Sequence, residues 1–270
     1  MTAMYRPLSV RSLWVIHGAL AAVAIATAIA ATRAHGLFAI PAAIVAGEIA
    51  VLLWLRHRAG EIVQRMSDAA VHTEHGHYAE AAALLDKLAD ASRLIPNLHA
   101  LIGVRRADIC FTLGELDTAD AIARGVLASG WIDRKASALY VALPGLCATL
   151  GAIAALKGQT AEAESWRARG EAAVSKARRG TLVFLDAVIA ARAHRFADLA
   201  RLDVVSAHRP HGPTLRWIIA YATSETPAAQ DKLAARLEAA RPSTAEALAL
   251  APYWPELAAF VAGSRERSYR

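Results

Sequence analysis

A chain of 270 residues allows one or two domains with a sizeable core, and this one is 56% hydrophobic but only 6% aromatic. Ala, Leu, Arg and Glu abound while strand-forming runs are scarce, which argues for helices and against a sheet protein. The net charge of +6 does not describe a nucleic-acid face: residues 1–66 carry six Lys/Arg against two acids, leaving 24 basic and 22 acidic residues in the other 204.

The first two predicted elements are membrane spans. "LWVIHGALAAVAIATAIAAT", Leu13 to Thr32, has no formal charge, and "GLFAIPAAIVAGEIAVLLWL", Gly36 to Leu55, has a single acid. Each matches the ~20 residues a helix needs to cross ~30 Å of hydrocarbon. Only Arg33, Ala34 and His35 separate them, so the pair is expected to form a tight hairpin. Arg6 and Arg11 precede it and Arg56, Arg58 and Arg65 follow. By flanking charge both ends face the cytoplasm, as in a multi-pass protein of a bacterial inner membrane.

Two polar residues interrupt the spans. Glu48 lies seven residues from the inner end of the second, and His17 four from the inner end of the first. An antiparallel hairpin brings them to similar depth, where an unpaired ionisable group is costly. They are expected to lock the two helices together or to contact another subunit, and the hairpin is a candidate surface for a homo-oligomer. The alternative is an accessory subunit of a membrane enzyme or transporter that uses the Glu48/His17 pair.

Beyond the anchor, helical periodicity runs from about Glu61 to His75 and resumes from Tyr78 to Ser92, with Gly76 between as a helix stop. The same phrase returns downstream. Ala69/Gly76/Tyr78/Ala81 is matched by Ala107/Gly114/Leu116/Ala119 and by Gly151/Gly158/Thr160/Ala163, and His194, Phe196 and Leu199 keep the frame without a Gly.

This phrase resembles that of the tetratricopeptide repeat family: a small residue on a first helix, Gly-x-aromatic at the corner, then Ala on a second helix. The resemblance covers residues 60–242, with a fifth, weak copy from Leu215 to Pro242. Corner spacings of 38, 44 and 36 residues exceed the family's ~34. It implies an all-α protein, a transmembrane helical hairpin followed by an α-solenoid of four to five helix pairs. The domains are then residues 1–58 (anchor), 59–242 (repeats) and 243–270 (C-terminal helix and tail).

"ASALYVALPGLCATLGAIAAL", Ala136 to Leu156, carries no charge. It is expected to be soluble core rather than a third span, because its second half fits the repeat frame and Pro144-Gly145 marks a break. Cys110 and Cys147 lie in apolar helical contexts, which suits two buried thiols better than a disulfide.

No phosphate loop, paired-His zinc helix, Cys-x-x-Cys or nucleophile elbow is present, so neither an enzyme nor a cofactor is expected. "HTEHGH" brings His72, His75 and His77 together as a weak metal candidate, but on a repeat corner polar residues are expected anyway. His208 and His211 are read as loop. Arg167, Arg169, Lys176, Arg178 and Arg179 form the best basic stripe, and they too read as a solvated helix face.

The resemblance implies a protein-binding scaffold whose first helices line a concave surface. Counted from the corners, the inward positions are Val104, Asp108 and Phe111, then Ala148, Ala152 and Ala155, then Phe184 and Val188. Only Asp108 is charged, so this groove suits an amphipathic helix of a partner protein. Alternatively, the chain's own C-terminal "APYWPELAAFVAG" covers these positions.

Overall fold

The computed structural model describes residues 39–135, 137–173, 180–199, 212–224 and 244–268, together with Val23, and these are helical with no strand among them. The first span, residues 13–32, lies outside the described residues apart from Val23, as does most of the fifth repeat copy.

Helix α1 is Ala39–Glu74, 36 residues without interruption. The expected boundary at residue 58 therefore falls inside a helix, and the second span and the first repeat helix are one element. "RHRAGE" holds no Pro, and Arg58–Glu61 at 2.9 Å and His57–Glu61 at 3.5 Å support the helical turn there.

Then follow α2 (Tyr78–Ala91), α3 (Pro96–Thr112) and α4 (Leu116–Ala128). A 3₁₀ turn at Ala138–Ala142, capped by the Ser137 hydroxyl accepting from the Leu139 amide, leads into α5 (Leu143–Leu156). The chain continues through α6 (Thr160–Ala173), α7 (Val183–Arg192), α8 (Phe196–Leu199), α9 (Gly212–Ser224), α10 (Thr244–Ala249) and α11 (Pro255–Ser268).

Four corners share one geometry. Gly76, Gly114 and Gly158 have φ of 78°, 80° and 77°, and His194, where the glycine is missing, has φ 54°. At the second corner the Gly114 amide donates to the Phe111 carbonyl at 3.0 Å and the Glu115 amide to Cys110 at 2.8 Å. The same two bonds recur at the others, with His77 to His72, Gln159 to Ala154 and Arg195 to Ala190 as the longer loop. This double bond satisfies carbonyls that a helix end leaves open, and it requires the left-handed conformation at one residue.

The corners place Ala81, Ala119 and Ala163 at the start of each second helix, fully buried against the first. Helices α1/α2, α3/α4, α5/α6 and α7/α8 pack as pairs, and α1, α3, α5, α7 and α9 contact one another in succession. Close approach depends on small residues. A methyl at Gly151 would come within 2.8 Å of Leu185, and one at Gly170 within 2.9 Å of Leu182 and 3.2 Å of Cys147.

Helix α5 lies at the centre, touching α3, α4, α6 and α7. The stretch Ala138–Leu156 is long and apolar enough to cross a membrane, yet 72% of it is buried inside the protein. A helix hydrophobic on every side needs cover on every side, and here neighbouring helices supply it.

The corners differ in what surrounds them, and this separates two substitutions. A side chain at Gly76 meets nothing within 4 Å, whereas a Cβ at Gly114 would lie 2.3 Å from the Ala249 carbonyl oxygen. Gly76→Ala is expected to cost about 1 kcal/mol, the left-handed strain alone. Gly114→Ala adds the displacement of α10 and is expected to cost about 3 kcal/mol. His194→Gly should gain several tenths to about 1 kcal/mol. Thermal and urea unfolding followed by circular dichroism checks all three; equal losses at Gly76 and Gly114 would contradict the packing of α10.

Candidate functional site

The inward positions counted from the corners do converge, but in the interior. Phe111 and Phe184 are 2% and 4% exposed and meet edge to face with centroids 5.7 Å apart. Ala148, Ala152, Ala155 and Val188 are buried in the same cluster. Val104 is buried in a second cluster, with Ala107, Leu146 and Leu150.

The expected open groove is thus corrected. Trp254, between α10 and α11, and Leu257 and Val261 of α11, with Leu215 and Ile218 of α9, share the cluster with Phe111 and Phe184. The covering segment is the one named as the alternative. Apolar inward side chains leave a face that water solvates poorly, and the chain's own apolar end closes it.

One polar contact ties this cover down. The Tyr78 hydroxyl, at the start of α2, donates to Glu246 Oε1 at 2.5 Å, and the Thr214 hydroxyl donates to Oε2 at 3.2 Å. Glu246 is only 4% exposed, and burial pushes its carboxyl above the ordinary range while the two hydroxyls pull it back. Burial also pushes the Tyr78 phenol above its usual range. Sequence reading missed Glu246 and Thr214, since a Glu in "STAEALAL" looks like a solvated helix position and its partner is 168 residues away.

Asp108, the one charged inward position, accepts a hydrogen bond from the Thr149 hydroxyl at 2.9 Å. The residue keeps some surface, but its carboxyl is enclosed between α3 and α5. Burial pushes that carboxyl from 3.8 up to about 6, against the opposing pull of Thr149 and Arg105.

The remaining candidates are dispersed. His72 and His75 each stack near His77, with centroids 6.1 and 6.3 Å apart, and His75 Nδ1 lies 2.8 Å from the Val71 carbonyl. No group of three metal-ligating side chains is placed to share an ion among the described residues. Glu48 sits half-buried on α1, while His17, His208 and His211 lie outside the described residues. Cys110 and Cys147 are free and buried, their thiols pushed up to about 11 by burial.

In the basic stripe, Arg167 pairs with Asp186 at 2.5 Å and Arg169 with Asp133 at 2.7 Å, so both positive charges are locally offset. Arg124 and Arg169 also flank the Trp166 ring at 5.8 and 5.4 Å. These cations are fastened to neighbouring elements of the fold.

Helix α1 carries the most unusual surface. Leu52 and Leu53 are 59% and 61% exposed, and Val45, Ile49, Val51 and Trp54 are each at least half exposed. Four consecutive residues, 51–54, point to all sides of a helix at 100° per residue. The helix is therefore apolar and uncovered all the way round. A shallow surface depression lies just beyond, lined by Leu53, Arg56, His57, Gly60, Glu61 and Gln64 of that one helix. No family model matches the chain, and neither a curated protein nor a solved structure is significantly similar to it.

Asp108 gives a pH test with a definite sign. Its folded-state pKa is raised, so its contribution is fully favourable below about pH 4 and is lost as pH rises through about 6. The shift corresponds to about 3 kcal/mol at most, and solvent reaching the residue reduces this to about 1–2 kcal/mol. Asp108→Asn keeps an acceptor for Thr149 and should be more stable than wild type at pH 7.5 but not at pH 4. Urea melts at the two pH values measure this, and a gain of the same size at both would remove ionisation as the cause.

Proposed function

We propose that this chain is a scaffold anchored in a bacterial inner membrane by an N-terminal helical hairpin, with a cytoplasmic repeat domain that holds another protein. The observation that carries the anchor is the exposed apolar surface on every side of α1 between Val45 and Trp54, followed at once by Arg56 and Arg58. Soluble proteins rarely expose such a contiguous surface, and a bilayer covers it without any specific partner.

The scaffold part draws on the tetratricopeptide-like phrase and on the succession of helix pairs with equivalent corners. Arrays of this kind stack quasi-one-dimensionally and present long surfaces to other proteins. No catalytic cluster competes with that reading among the described residues: the buried carboxylates face hydroxyls, and the thiols are protonated at neutral pH.

Two measurements test it. The full chain should resist carbonate extraction from membranes, and a reporter fused after Ser67 should be active only as a cytoplasmic reporter. Val45→Arg, at about 3 kcal/mol for a cation at the middle of a span, should weaken membrane retention. Periplasmic activity at Ser67, or ready extraction of wild type, sinks the anchor. Crosslinking in the native membrane should trap a protein partner in stoichiometric amount; a chain recovered alone sinks the scaffold.

A further inference from the structure

We infer that α10–α11 is an intramolecular occupant of the partner trough, and that the partner inserts a helical segment of the same chemistry. The inference rests on the scaffold reading. The trough consists of Phe111, Ala152, Phe184 and Val188 from the first helices of three pairs, an uncharged surface in the same buried cluster as Trp254, Leu257 and Val261.

The seat is shaped for its occupant at three places. At one end, the Tyr78 hydroxyl takes the Glu246 carboxylate, with Thr214 on its other oxygen. Next, the bare Cα of Gly114 admits the backbone of Ala249, where any Cβ would collide. Beyond, the aromatic pair Phe111–Phe184 lies in the buried cluster that also holds Leu250, Trp254 and Leu257. Read along the occupant, the requirement is a carboxylate, a small residue three positions on, and apolar side chains at four, eight and eleven: Glu246, Ala249, Leu250, Trp254, Leu257. A protein partner with that pattern fits the same seat.

The contact is built to open. The buried Glu246 carboxylate is held by neutral hydroxyls, a weaker hold than a guanidinium or ammonium gives. Trp217, 5% exposed and packed on Phe260 of α11, has an indole N–H with no hydrogen-bond partner among the described residues. The closed seat bears both costs. A tethered occupant competes at about millimolar effective concentration, so without such costs no partner at cellular concentration would displace it.

Hydrogen exchange on the full chain in detergent micelles reads the opening directly. Amides of α10–α11 are expected to exchange at least tenfold faster than those of α3 and α5; equal protection overturns the inference. The second measurement uses a fluorescent peptide of residues 244–263 as probe. Leu257→Glu, which alters only the occupant, should bind that peptide at least tenfold more tightly than wild type, and adding Phe184→Glu in the trough should abolish binding. A folded Leu257→Glu chain that ignores the peptide overturns the inference. If that variant does not fold, exchange on wild type decides. Exchange needs neither membrane nor partner, so its failure leaves the scaffold reading standing, and a failed crosslink leaves the opening standing.

Discussion

The packing of the helix pairs hangs on a single residue held at positive φ at the end of each first helix. A helix must stop with its last carbonyls satisfied, and the double amide contact at Gly76, Gly114, Gly158 and His194 does this at a fixed angle. That angle returns the chain along its predecessor and puts an alanine at the point of closest approach, so the pair closes without a gap. Once each pair is fixed, its first helix packs on the first helix of the next pair, and its second helix touches that helix as well. The succession of α1, α3, α5, α7 and α9 follows from local geometry repeated.

Where the interior admits polarity, it does so at seams between elements distant in sequence. Asp108 and Thr149 join the first helices of neighbouring pairs, 41 residues apart. Tyr78, Thr214 and Glu246 join the beginning of the array to its end. An apolar surface tolerates sliding by a residue, whereas a buried carboxylate displaced from its hydroxyl loses a hydrogen bond it cannot replace from water. These few bonds therefore define register more than they add stability.

What the sequence made legible was whatever is local. The glycine corners announced themselves because only glycine takes that conformation freely, and the frame held at His194 where the glycine was gone. Of the positions counted from the corners, Phe111 and Phe184 meet edge to face, and Ala152 and Val188 are buried in the same cluster. The cover over that face was weighed only as an alternative, because nothing in "APYWPELAAFVAG" distinguishes a segment that docks on its own chain from one that docks elsewhere. Glu246 was invisible for the same reason: its environment is made by residues 32 and 168 positions away. The continuity of α1 was missed through a false cue, in which a cluster of charge after Leu55 was taken for an end although charge ends a membrane span without ending a helix.

That continuity has a mechanical consequence. Thirty-six residues of unbroken helix make a rod about 54 Å long, and its last turns, at Ile62 and Ala69, are wedged into the first pair. A rod transmits torque as a flexible linker cannot. The repeat domain therefore has a compass bearing relative to whatever grips residues 45–54, and each residue of helical phase between the two turns that bearing by about 100°. The domain is not tethered so much as aimed.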